Sequence, residues 1–136
     1  MELNPYLFFE GNCEQALDFY KTVFNGEILS LNRYEGTPGE SQVPPDWKTK
    51  IMHASFQSPT FRFMASDGRC GDTPSAGSRI SLSLGTRDLA EAERVFNRLA
   101  EGGQVDMPLQ DTFWGARFGM LVDQFGIKWM INSEKA

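Results

Sequence analysis

A repeat constrains this chain more than any other feature. The stretch LFFEGNCEQALDFYKTVFNG (Leu7 to Gly26) returns in weaker form as LSLGTRDLAEAERVFNRLAEG (Leu82 to Gly102). Both read as a strand running into an amphipathic helix. In the first copy Ala16, Phe19, Tyr20, Val23 and Phe24 share one helical face, and in the second Leu89, Ala92, Val95, Phe96 and Leu99 do so. Asn12 and Asp88 stand where a side-chain oxygen caps a helix start, and Gly26 and Gly102 stand where helices end. The strand that closes each copy repeats too: FRFMA (Phe61 to Ala65) matches IKWMI (Ile127 to Ile131). The chain is therefore expected to hold two modules, about 1–67 and 79–136, each β-α followed by three strands.

At 136 residues, two half-size modules need a shared core to form one domain. No apolar run is long enough to span a bilayer, and the acid in MELNPY sits where a secretory signal carries positive charge. Cys13 and Cys70 lack metal-type spacing and read as free thiols of a cytoplasmic protein. The net charge of −5 argues against nucleic acid or an anionic membrane as partner.

In chain order, the expected strands begin with Leu3 to Phe9 and Glu27 to Tyr34. The loop Gly36 to Lys50, with three prolines, carries Trp47, either a lid or dimer anchor or a ring folded onto its own loop. Ile51 to Gln57 and Thr60 to Ser66 form a hairpin at Ser58-Pro59. Asp67 to Ser78 is the border between modules, and Arg79 to Leu84 opens the second. Gln104 to Gly115 reads as irregular, its middle strand barely visible around Val105. Ala116 to Val122 and Ile127 to Asn132 flank a turn at Asp123 to Gly126.

Alternation separates two faces. Met52, Ala54, Phe56, Phe61, Phe63, Ala65, Ile80, Leu82, Leu84, Ile127, Trp129 and Ile131 form an apolar set that must cover the helices. The opposite set is mixed: His53, Ser55, Gln57, Arg62, Met64, Ser66, Arg79, Ser81, Ser83, Lys128, Met130 and Asn132. Polar groups without partners are costly to bury, so this face meets water or lines a wet cavity. The expected fold is α+β, with curved mixed sheets, helices outside and a cup inside.

With these residues in view, the chain resembles the vicinal-oxygen-chelate superfamily, which includes glyoxalase I and bleomycin-resistance proteins, and within it the PhnB-like branch. The resemblance rests on LFFEGNCEQALDFYKTVFNGE, on MHASF with FRFMASD, and on PLQDTFWGARFGMLVDQFGIKWMIN. It implies paired βαβββ modules, homodimers and a site inside the cup. Metal-dependent members carry a His, Glu or Gln ligand on each of four strands, and alignment brings those positions to Pro5, Met64, Arg79 and Met130. None suits a divalent, oxygen-loving metal, so neither a metal nor another cofactor is expected. A methyl-transfer fold is not expected either. The loops Gly36 to Gly39 and Gly68 to Gly77 do not run from strand into helix.

The ligand-binding candidates are His53, Arg62, Met64, Arg79, Ser81, Trp114, Lys128 and Met130. His53, the only histidine, is a weak acid–base candidate or a hydrogen-bonded structural residue. Arg62, Arg79 and Lys128 either converge on a ligand or pair with carboxylates, and Arg79 is the expected fork for a carboxylate or phosphate. Met64 and Met130 supply an apolar floor, and Trp114 with Phe113 an aromatic wall or a plug. Glu10 and Asp67 read as cap or turn residues. The expected function is metal-free binding of a small anionic or aromatic molecule by a homodimer. The alternative is a lyase, isomerase or dioxygenase-like enzyme with a metal at shifted positions, for instance through His53 and Glu10.

Overall fold

The computed structural model describes residues 4–68, 81–112 and 115–134. The chain divides into two compact units, Met1–Ser75 and Ala76–Ala136. Unit 1 runs β1 (Tyr6–Phe8), α1 (Cys13–Phe24), β2 (Glu27–Arg33), two short 3₁₀ turns (Pro38–Gln42 and Pro45–Trp47), β3 (Ile51–Gln57) and β4 (Arg62–Ser66). Unit 2 runs β5 (Leu82–Thr86), α2 (Leu89–Ala100), β6 (Gln104–Asp111), β7 (Ala116–Val122) and β8 (Lys128–Glu134). The sheets are ordered β1-β4-β3-β2 and β5-β8-β7-β6, the same topology twice. In each, one parallel pair (β1 with β4, β5 with β8) sits beside two antiparallel pairs. The fold is α+β, built from βαβββ modules.

Helix α1 buries Cys13, Ala16, Leu17, Tyr20 and Val23, a stripe rotated toward Leu17, with Phe19 and Phe24 only half-buried. Tyr20 meets Phe63 edge-on at 6.0 Å, and Phe63 stacks on Phe56 at 4.8 Å. Each such ring contributes ~1.5–3 kcal/mol on burial. Helix α2 buries Ala92, Val95, Phe96 and Leu99 over Trp129, Ile131 and Leu121. Leu89, in its first turn, is instead 41% exposed. Ser66 departs from the expected polar face and is buried, accepting from the Gly68 N–H.

The helix ends differ from the expectation in the first module. Asn12 makes no capping hydrogen bond; the buried Asp67 takes that role across the fold. Its Oδ1 accepts from the Gly11 and Cys13 N–H groups, each at 2.9 Å, and its Oδ2 accepts from Ile51 N–H at 2.8 Å. Asp88 caps α2 locally, accepting from Glu91 N–H at 3.2 Å. At the end of α1 the left-handed residue is Asn25, at φ 54°. Gly26 lies so close to β3 that a Cβ there would stand 2.5 Å from Phe56 Cζ.

The expected irregular stretch Gln104 to Gly115 is a strand through Asp111. Its pairing with β7 slips between Val105 and Met107 and again between Met107 and Gln110. Bulges on an edge strand accommodate Pro108, which cannot donate to a ladder. These bulges press Met107 O and Leu109 N toward Gly119, each 3.0 Å from where a Cβ would be. Trp47 turns inward on unit 1: its Nε1–H donates to Gly68 O at 2.9 Å and its ring lies over Gly11. The indole thus meets the β1–α1 loop and the residue after Asp67, parts of unit 1 outside its own loop.

Asp67 supplies the stability test. Removing an acceptor from a buried donor costs ~1–3 kcal/mol per group. Asp67→Asn keeps one oxygen but sets an NH₂ against a donor, so urea unfolding is expected to show a loss of about 1–3 kcal/mol. Asp67→Ala, with three donors stranded, is expected to lose more than Asp67→Asn. A loss under about 1 kcal/mol for Asp67→Ala would show that water replaces the carboxylate.

Candidate functional site

The sheet face opposite α1 is the open face of unit 1. The register sets Tyr6 beside Met64, Met64 beside Ser55, and Ser55 beside Ser30. One row away along the strands lie Phe8 and His53. Tyr6 stacks on Phe8 at 4.8 Å between ring centroids, yet Tyr6 is 38% and Phe8 51% exposed. The Tyr6 hydroxyl lies 3.1 Å from His53 Nδ1, donating when Nδ1 carries the lone pair and accepting when it carries the proton. Arg62 sits at the hairpin end of the same face, exposed, its guanidinium donating to Gln57 Oε1 at 3.2 Å.

The open face of unit 2 has a different character. Ser83, Met130, Met120 and Met107 form one row across β5, β8, β7 and β6. Lys128 and Met130 are half-buried, as is Ser81 just ahead of β5. Arg79 and Trp114, with Phe113, lie outside the described residues. The structure thus brings His53 and Met64 onto one face with Arg62 beside them, and Met130 with Lys128 onto the other unit's face. Sequence reasoning missed Tyr6, Phe8 and Leu29 in unit 1 and Met107 and Met120 in unit 2. Only the alternation of Met120 with the buried Leu121 could have signalled its neighbour row.

These residues do not fit the metal held by the metal-dependent proteins that the sequence resembles. Pro5 has no ligating side chain, and its carbonyl oxygen already accepts from Met64 N–H. Met64 and Met130 offer soft thioethers to a hard divalent ion. Among the described residues, no three His, Cys, Asp or Glu side chains come together. The shifted site proposed through His53 and Glu10 begins with Nδ1 already engaged by Tyr6 and an exposed Glu10.

Partial burial raises the Tyr6 phenol above its ordinary value of 10.0, with Cys13 and Tyr34 adding to the rise and a hydrogen bond with Ser66 opposing it. The neutral phenol is therefore the folded form's preference. A raised value adds stability that is present below pH 10 and lost as pH climbs through the folded value. The tyrosine absorbance titration of wild type minus that of Tyr6→Phe is expected to give a midpoint above 10.0. A midpoint at or below 10.0 would contradict this environment for the phenol.

Comparison with known proteins places this geometry in a family. The family model for 3-demethylubiquinone-9 3-methyltransferase matches residues 1–132. Protein PA1353 from Pseudomonas aeruginosa is 43% identical, with a TM-score of 0.87 over 100% of this chain and 99% of that one. A putative 3-demethylubiquinone-9 3-methyltransferase, the PhnB protein from Bacillus cereus, is 28% identical, with a TM-score of 0.83 over 98% and 99%. A glyoxylase/bleomycin resistance protein/dioxygenase domain from Frankia sp. EAN1pec shares the fold at 14% identity, with a TM-score of 0.66 over 99% and 93%. The methyltransferase in the family's description finds no cofactor cradle among the described residues. The β1–α1 loop has one glycine, and its N–H groups at Gly11 and Cys13 are taken by Asp67; the sheets are mixed rather than doubly wound. No methyl-transfer step is therefore derived from these residues. The chain belongs to the family described as 3-demethylubiquinone-9 3-methyltransferase, and it shares its fold with a glyoxylase/bleomycin resistance protein/dioxygenase domain.

Proposed function

We propose that this protein binds a small anionic or aromatic molecule on its open sheet faces, without a metal, as a homodimer. The observation that carries the reading is the Tyr6–Phe8–His53 cluster. Two stacked rings stand 38% and 51% exposed on a sheet face, beside a hydrogen-bonded imidazole. Exposed aromatic area is an unspent source of affinity, because a planar ligand stacked on it removes that area from water. Tyr6 and His53 add directional polar atoms, which is how largely apolar sites fix orientation. Arg62 supplies positive charge on this face; Arg79, Ser81, Trp114, Lys128 and Met130 are proposed for ligand contact from the second unit.

Support for the dimer comes from the sheet edges. Edge strand β6 carries Val105 44% exposed, apolar area that a second copy would remove from water. No described helix is long and apolar enough to cross a membrane. A cytoplasmic setting belongs to the proposal, supported by the free, buried Cys13; Cys70 lies outside the described residues.

The test is a thermal-shift screen of aromatic carboxylates, run without added metal. A bound compound raises the unfolding midpoint by mass action. Tyr6→Ala and Phe8→Ala are each expected to weaken a hit by about three- to tenfold, the size of one aromatic contact. Light scattering of the same sample is expected to give about twice the chain mass of 15.3 kDa. Hits that bind both variants as well as wild type would overturn the aromatic-face reading, and a single-chain mass would overturn the dimer.

A further inference from the structure

A bulge in β2 creates a second, distinct feature on the open face of unit 1. The pairing of β2 with β3 slips between Ile28 and Ser30, leaving Leu29 between them. A bulge re-aims its side chain, and Leu29 stands 49% exposed. It walls a hollow of about 100 Å³ together with Asn4, Ser55, Arg62 and Met64. A larger hollow of about 470 Å³ is lined by Asn4, Gln57, Ser58, Thr60 and Arg62. Asn4 and Arg62 line both. The guanidinium therefore stands where a small, partly apolar hollow meets a larger polar one.

Arg62 is positioned for an outside partner. Among the described residues its guanidinium donates to the neutral Gln57 Oε1, and no carboxylate forms a salt bridge with it. A guanidinium holds five donors in a planar fork matched to a carboxylate. Among the described residues it is the one cationic side chain lining either hollow, which suits a single negative charge better than a dianion. At ~30 Å³ per water-sized group, the smaller hollow has room for about three or four carbons.

We propose that Arg62 is the anchor of a site for a small carboxylate with a short aliphatic end. The carboxylate pairs with the guanidinium, and the aliphatic end lies against Leu29 and Met64. Polar groups of the ligand lie in the larger hollow beside Asn4, Gln57 and Thr60. This rests on the reading that the open face of unit 1 takes small molecules, but it uses residues other than Tyr6 and Phe8. It moves the anchoring role from Arg79, where the sequence placed it, to Arg62.

Methyl-labelled methionine NMR tests it directly, because Met64 lines the smaller hollow. The probes are pentanoate, its neutral analogue pentanamide, and acetate, titrated into wild type and Arg62→Gln. In wild type the Met64 methyl is expected to shift with pentanoate at least about tenfold more tightly than with pentanamide, because hydrogen bonds to charged groups are the stronger ones. Acetate, lacking three methylenes, is expected to bind at least about tenfold more weakly than pentanoate. Arg62→Gln should remove the preference for pentanoate over pentanamide while the other methionine signals keep their positions, showing an intact fold. Equal binding of pentanoate and pentanamide to wild type, a preference that survives in Arg62→Gln, or a Met64 methyl that none of the probes moves would each overturn the Arg62 site. The two readings part at Tyr6: an Arg62 failure combined with Tyr6-dependent binding of aromatic carboxylates leaves the broader reading standing.

Discussion

The Asp67 carboxylate is the constraint on which unit 1 depends. Its two oxygens collect N–H groups from the β1–α1 loop and from the start of β3. It therefore fixes three things at once: where α1 begins, how β1 meets β4, and where β3 enters the sheet. The parallel β1·β4 pairing is only three residues long, too short to hold a strand by its own ladder. The side chains of β1 that face outward, Tyr6 and Phe8, thus owe their position largely to a carboxylate buried on the far side of the strand ends. A buried acceptor of this kind is costly to strand and strong when satisfied.

The two units share a plan and differ in chemistry. At the β-hairpin of each, one side chain gathers the turn: Ser58 Oγ accepts from Thr60 and Phe61 N–H, and Asp123 Oδ1 accepts from Phe125 and Ile127 N–H. Asp123 also accepts from Trp129 Nε1–H, which ties that turn to the core beneath α2. The open faces diverge instead. The row Tyr6, Met64, Ser55, Ser30 in unit 1 mixes aromatic, thioether and hydroxyl groups, while the row Ser83, Met130, Met120, Met107 in unit 2 is largely thioether. Soft, unbranched methionines adapt to irregular apolar surfaces. Neither row carries a carboxylate or imidazole set of the kind a hard metal ion takes.

Much of this fold is legible in the sequence because its signals are local. The helices announce themselves by apolar spacing, and β3, β4, β7 and β8 by alternation against polar neighbours. What escapes is either non-local or lacks contrast. Asp67 reads as a cap or turn residue, but the helix it caps begins 54 positions earlier in the chain, so no short-range pattern could have named that helix. Tyr6, Leu7, Phe8 and Phe9 are all apolar, so alternation in β1 carries no polarity signal. Leu29 reaches the open face through a bulge, and β6 is masked by Pro108 and two slips of register. Among the candidate site residues, His53, Met64 and Arg62 share a face as the alternation requires, whereas Arg79 and Trp114 lie outside the described residues.

Under the proposal, the open face of unit 1 holds a small organic anion in the cell. Native mass spectrometry of untagged protein, purified gently from its producing cells, reads this directly. The expected result is a non-covalent adduct of small-molecule mass that carries a carboxylate and is depleted in protein bearing both Tyr6→Ala and Arg62→Gln. An adduct that persists unchanged in the double variant, or a stoichiometric metal ion bound through His53 in place of an organic ligand, would contradict it.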